Sequence, residues 1–266
     1  MKSVVNLLLI VLLVSFCPPQ NESRYTLLTH ILSKVKNITT DNLGNLYVLT
    51  NGNQLNKYGR NGVLIGTLNY NYTGNITQVD ASNPMQVFLF YRELNKVIIL
   101  DNNLAYRGEI NLTKAGIIQA AAVARAYDNN LWVFDVGDLQ LKKINRDSEV
   151  EQSSGNVRQY ILNNTAVNYL FDNGDRVFVV DANNGILLFD VFASYQKTIP
   201  VKGVNEVKVL DRFLFYYAAQ KLNRYNWQTS QEQSYALPDT SGVIRLSVEK
   251  ERIYLQKQDT ISIYSF

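Results

Sequence analysis

Few residues in this 266-residue chain have side chains suited to chemistry, and their types narrow that chemistry quickly. There is one histidine, His30, and one cysteine, Cys17. A serine or cysteine nucleophile normally needs an imidazole base, so any such site would have to be built around His30. No Gly-x-x-x-x-Gly-Lys phosphate loop, Gly-x-Ser-x-Gly elbow or His-Glu-x-x-His zinc motif occurs. A lone cysteine also excludes a disulfide framework and a multi-cysteine zinc site. Oxygen chemistry remains. Asp135 and Asp181 end two apolar segments of the same form, and Asp80 ends another. Calcium needs only oxygen ligands, so carboxylates converging on one mouth could hold it and activate water for hydrolysis. The competing reading takes Asp135-Val136-Gly137-Asp138 and Asp181-Ala182-Asn183-Asn184 as turn signals, the first Asp bonding backbone amides.

The elements that must position these residues repeat. One apolar, aromatic and β-branched strand recurs as Leu46-Tyr47-Val48-Leu49, Val87-Phe88-Leu89-Phe90, Leu131-Trp132-Val133-Phe134 and Val177-Phe178-Val179-Val180. It returns as Phe213-Leu214-Phe215-Tyr216 and Ile253-Tyr254-Leu255, at intervals of 41, 44, 46, 36 and 40 residues. A polar turn precedes each copy and a second, more alternating strand follows it, as in Leu141-Lys142-Lys143-Ile144. Alternation marks strands with one solvated face, and continuous apolar runs mark strands covered on both faces. No segment has a sustained helical period. Six short-strand units at a period near forty predict an all-β, six-bladed β-propeller rather than a sandwich of seven to nine strands. The last unit stops after its third strand, which leaves Tyr25 to Leu32 to supply the missing outer strand and close the ring. That assignment puts His30 on an outer strand, far from the axis.

The positions corresponding to Asp135 and Asp181 in the other units are Thr50, Tyr91, Tyr217 and Lys257, which argues against a symmetric carboxylate ring. Tyr91, Arg92 and Tyr217 instead suit a recognition surface, because aromatics and arginine dominate interface hot spots. The stretch from Ser153 to Ala166 is the longest link between units, and long links on a rigid scaffold often carry contacts.

Residues 1–20 read as an export signal, with Lys2 followed by the apolar run Leu7 to Val14. Eight helical residues rise about 12 Å, well short of a bilayer core of ~30 Å. Val14-Ser15-Phe16-Cys17 resembles a bacterial lipoprotein box in which Cys17 is lipidated, although Phe16 stands where that box has a small residue. Soluble export and an uncleaved tether stay open. Residues 21–266 then form a single propeller. With 26 Lys and Arg against 23 Asp and Glu, the net charge of +3 excludes the strong basic field of a dedicated nucleic-acid binder.

The runs Asp41-Asn42-Leu43-Gly44-Asn45-Leu46-Tyr47-Val48 and Asn129-Asn130-Leu131-Trp132-Val133-Phe134-Asp135 resemble the NHL-like class of six-bladed propellers. The segment from Ile76 to Leu112, with Val79-Asp80-Ala81-Ser82-Asn83-Pro84 and Val97-Ile98-Ile99-Leu100-Asp101, is similar to a family of small exported propellers from Bacteroidota. One member type of that family is similar to the periplasmic plug subunit of the type IX secretion translocon. The resemblance implies a non-enzymatic envelope protein, without cofactor, whose partner is an outer-membrane or periplasmic complex. Under it, the membrane is met only through a lipid anchor on Cys17. The alternative is a calcium-dependent, lactonase-like hydrolase with its site on the propeller axis.

Overall fold

A computed structural model describes residues 25–68, 74–249 and 251–266. The export signal expected over residues 1–20, with Cys17, lies outside the described residues. The chain enters as β1 (Thr26–Leu32) and then builds antiparallel four-stranded sheets in sequence. Blade 1 is β2 (Val35–Thr40), β3 (Leu46–Thr50), β4 (Leu55–Tyr58) and β5 (Leu64–Thr67). Blade 2 is β6 (Gln78–Asn83), β7 (Gln86–Tyr91), β8 (Lys96–Leu100) and β9 (Tyr106–Asn111). Blade 3 is β10 (Ala120–Arg125), β11 (Leu131–Asp135), β12 (Gln140–Ile144) and β13 (Val150–Ser153). Blade 4 is β14 (Val167–Asp172), β15 (Arg176–Asp181), β16 (Gly185–Asp190) and β17 (Tyr195–Ile199). Blade 5 is β18 (Lys208–Leu210), β19 (Phe213–Ala218), β20 (Lys221–Asn226) and β21 (Gln231–Ala236). Blade 6 is β22 (Arg245–Glu249), β23 (Arg252–Gln256) and β24 (Thr260–Ser265), completed by β1 in the order β1-β24-β23-β22. The protein is an all-β, six-bladed propeller whose ring is closed by its N-terminal strand.

The second strands are apolar throughout because neighbouring blades cover both of their faces. Leu131, Trp132, Val133 and Phe134 are all fully buried. Trp132 and Phe134 face blade 4, while Leu131 and Val133 face blade 2. Each gap between blades holds its own apolar cluster, so the core is a ring of six layers. Outer strands are the exposed ones: in β21, five of six residues lie open to solvent, consistent with Gln231-Glu232-Gln233-Ser234.

The turns follow from Asp and Asn placed where third strands end. Asp101, Asn145, Asp190 and Asn226 each accept backbone N–H bonds from residues two to four positions on. Leu104, Ser148, Ala193 and Ser230 close these turns with φ between 59° and 65°. Holding non-glycine residues in the left-handed region costs about 1 kcal/mol each, which the clustered side-chain bonds offset.

Closure depends on β1. It pairs antiparallel with β24, Ile31 opposite Ile261 and Thr29 opposite Ile263, so Ile31 enters the cluster between blades 6 and 1. His30 sits on this strand, its Nδ1 3.0 Å from Ser262 Oγ. Deleting residues 21–33 is expected to abolish the single cooperative urea transition seen by tryptophan fluorescence. The milder Ile31→Ala should keep one transition and lose about 2–4 kcal/mol. A deletion variant with an unchanged midpoint would show that the ring needs no closing strand.

Candidate functional site

The first strands of the blades line the axis. Most of them carry polar residues in alternation, as in Asn37 and Thr39 of β2 or Gln78 and Asp80 of β6, whereas β10 is mostly alanine. Its upper mouth, on the side where the first strands begin, encloses about 220 Å³. Asn37 and Thr39 of β2, Thr77 and Gln78 at the start of β6, Arg92, Asn168 and Tyr169 of β14, Asn205, Glu206 and Arg245 line it. Below it the bore narrows to about 20 Å³ beside Thr40, Asp80, Phe171, Lys208 and Ser247.

Side chains fasten one first strand to the next across this bore. Gln78 donates through Nε2 to Val123 O at 2.7 Å and accepts from Val123 N at 3.3 Å. Arg92 Nη2 donates to Ala121 O, and Asp80 accepts from Arg125 N at 2.7 Å. The alanines of β10 make these contacts feasible, since a larger side chain would shield that backbone. Glu206 accepts from Arg245 Nη1 at 3.0 Å, and Glu249 binds Lys208 and Thr40 Oγ1. Burial pushes the Glu206 carboxyl above its ordinary pKa, opposed by the charges of Arg245 and Lys208. Tyr169 is held well above the usual phenol range by burial and by the negative charge of Glu206, Asp80 and Glu249. Its hydroxyl is therefore neutral at physiological pH.

The residues singled out in the sequence fall in two groups. Arg92 and Tyr217 are brought to the upper face: Arg92 lines the mouth, and Tyr217 lines a shallow recess beside it with Glu206 and Arg245. The strand-ending position assigned to Tyr217 is taken by Ala218, because β19 runs on to Ala218 before a two-residue turn, and the one assigned to Lys257 is taken by Gln256, the last residue of β23. Tyr91 is 2% exposed and packs in the cluster between blades 1 and 2, where burial pushes its hydroxyl up to about 12.

Asp135 and Asp181 are both fully buried in blade corners. Asp135 accepts from the backbone N–H of Ile118, Gln119 and Gly137 and from Lys142 Nζ, all within 3.0 Å. Asp181 accepts from the backbone N–H of Ala166, Asn183 and Asn184, from Thr165 Oγ1 and from Asn184 Nδ2. Each carboxylate thus ties the link entering its blade to the hairpin joining second and third strands. As calcium ligands they do not fit, since all four of their oxygens are already bonded to the protein. Among the described residues, no group of three or more His, Cys, Asp or Glu side chains is placed to hold a metal.

The link from Ser153 to Ala166 makes a short 3-10 turn at Arg158–Tyr160 and buries Val157 and Ile161 between blades 3 and 4. Tyr160 stacks on Tyr195 with ring centroids 3.6 Å apart.

No family profile matches the chain, and no curated protein matches it significantly in sequence. Solved structures do resemble it. The WD40 domain of Pan2 from Neurospora crassa superposes over 92% of this chain and 96% of its own, with a TM-score of 0.61 at 11% identity. BamB from Moraxella catarrhalis aligns over 91% of this chain and 100% of its own, with a TM-score of 0.57 at 12% identity. A streptogramin B lyase aligns over 88% of this chain and 79% of its own, with a TM-score of 0.57 at 13% identity. The class is thereby a β-propeller; likeness at this level carries the fold and no activity.

Burial raises the Asp135 pKa, but the N–H groups of Gln119 and Ile118, Lys142 and the Gly137 N–H outweigh it and hold the carboxyl below its ordinary value. Its stabilisation is therefore present above about pH 4 and fades as pH falls through the depressed folded value. Asp135→Asn should lose about 2–4 kcal/mol at pH 7, and the gap to the native chain should shrink below about pH 4. Urea titrations at pH 7, 5 and 3.5 check this; a pH-independent gap would contradict the charged clamp.

Proposed function

We propose that the chain is a non-enzymatic binding propeller of the bacterial cell envelope, acting as a plug or accessory subunit of an outer-membrane protein-secretion complex. The observation that carries the non-enzymatic part is the state of the axial and corner carboxylates. Glu206, Glu249, Asp80, Asp135 and Asp181 each bond cations, hydroxyls or amides of the chain itself. They act as fasteners, leaving the upper face as a rigid surface that presents Arg92 and Tyr217 beside a polar mouth. A disc fastened in this way works sterically, by fitting a partner. The envelope setting is supported by the export-like Leu7 to Val14 run and by the likeness to exported Bacteroidota propellers. Attachment to the membrane would run through Cys17. Among the described residues, no helix is long and apolar enough to cross a membrane.

Photo-crosslinking in the native host tests this reading. A photoreactive residue at Tyr217, on the upper face, is compared with one at Met85, which is 64% exposed in the opposite hairpin joining β6 and β7. The expected result is a crosslink from Tyr217, absent from Met85, to an integral outer-membrane protein that co-purifies in fixed stoichiometry. Recovery of the propeller alone from both positions would overturn the proposal, and crosslinks from Met85 alone would overturn the assignment of the face.

A further inference from the structure

The fastening of the channel does not consume all the polar groups at its upper mouth. Among the described residues, Arg92 spends one side-chain N–H on Ala121 O, and Arg245 spends Nη1 on Glu206. The remaining guanidinium N–H groups of both make no further hydrogen bond there. Asn205 uses its Oδ1 to accept from Asn168 Nδ2 at 3.0 Å, which leaves its own amide N–H groups over. Asn37 Oδ1 is shut away from solvent with no hydrogen-bond partner at all. Lys36 lies beside the same mouth, its Nζ on Ile76 O at 2.8 Å. Two guanidinium groups, Arg92 and Arg245, and one carboxylate, Glu206, line the mouth itself. An orphaned buried acceptor costs about 1–3 kcal/mol unless a ligand or water donates to it.

These groups specify what fits. Two guanidinium forks with spare donors call for a carboxylate, the planar anion they bind bidentately. The Glu206 charge beside Arg245 disfavours a dianion such as phosphate. The unpaired Asn37 oxygen calls for a donor close to that carboxylate. The volume of about 220 Å³ holds roughly seven waters at ~30 Å³ each, room for one terminal residue and not for a folded loop. We propose that the upper mouth is a socket for the C-terminal carboxylate of an extended polypeptide, gripped by Arg92 and Arg245, with a donor of its last residue on Asn37 Oδ1. The proposal deepens the binding-face reading above and rests on it, because the chain end would belong to the partner. An N-acylamino acid carries the same chemistry as a free small molecule.

The test uses the chain from residue 21 onward and arginine Nε–Hε signals in two-dimensional NMR. Acetyl-trialanine with a free carboxylate, the same peptide as its C-terminal amide, acetyl-alanine and acetate are titrated separately. Expected is saturable binding of the free-acid peptide that shifts the Arg92 and Arg245 signals, with the amide at least tenfold weaker. Arg92→Gln should lose tenfold or more, Arg92→Lys should fall between, and Arg107→Gln, on the outer strand of blade 2, should change nothing. Acetyl-alanine binding as tightly as the peptide would assign the socket to a free small ligand and overturn the chain-end source. Acetate binding equally tightly would reduce it to a bare anion site and overturn the proposal. Equal binding of acid and amide, or none of either, would also overturn it. Crosslinking at Tyr217 would then still stand or fall separately.

Discussion

The pairing of β1 with β24 is the constraint on which the other contacts depend. Each blade is apolar on both faces, so no blade is stable by itself and every gap must be filled from both sides. Without β1 the outer edge of blade 6 would be unpaired and the gap to blade 1 short of Ile31. Supplying that strand from the opposite end of the sequence joins residues more than two hundred positions apart, as His30 and Ser262 are. Such non-local closure makes unfolding cooperative around the ring and slows folding, because the long loop must be ordered before the contact stabilises anything.

The axis presents the second problem. A first strand has a neighbouring strand on one side only, and its other edge of N–H and C=O groups faces the bore. Backbone pairing across the bore would collapse the ring, so side chains from the adjacent blade do the bonding instead. Gln78 reaches Val123, Arg92 reaches Ala121, Asp80 reaches Arg125, and Gln256 reaches Val35 and Lys36. The polar character of the channel is therefore required by the fold before any ligand is considered. Binding capacity at the mouth is what those bonds leave over.

This ordering explains which features were legible in the sequence. The second strands were visible because both faces are covered, giving continuous runs such as Leu131 to Phe134. Closure was legible from arithmetic alone, since three strands at one end and a spare strand at the other make a complete blade. The channel was not. Asn37, Tyr169, Glu206 and Arg245 come from four different blades or the links that enter them, and no spacing in the chain connects them. A faint signal exists in the polar residues that alternate within first strands, Asn37 and Thr39 or Gln78 and Asp80. Asp135 and Asp181 stood out because aspartate after an apolar run is conspicuous; the same conspicuousness is what a corner clamp produces. Arg92 and Tyr217 were reachable because they lie at the ends of second strands, which the repeat locates to within a residue.

Blade 5 departs from the symmetry, and the departure bears on the mouth. Its first strand has only three residues, Lys208–Leu210. The cluster between blades 5 and 6 has six buried members, the rest of its apolar residues being only partly buried, and an apolar cleft of about 330 Å³ opens there beside Phe215, Tyr235, Val248, Tyr25 and Phe266. With much of its apolar lining only partly buried and a cleft beside it, this seam is where local opening should cost least. The two axial ion pairs both cross it: Glu206 and Lys208 come from blade 5 and its entry, Arg245 and Glu249 from blade 6. A buried or half-buried pair adds little net stability, but breaking it strands a charge, which penalises sliding of one blade against the other. Geometry at the weakest seam is thus set by charge where apolar packing runs out. Arg245 belongs to one of these pairs and also lines the mouth, so any group bound there would act directly on the seam that is easiest to move.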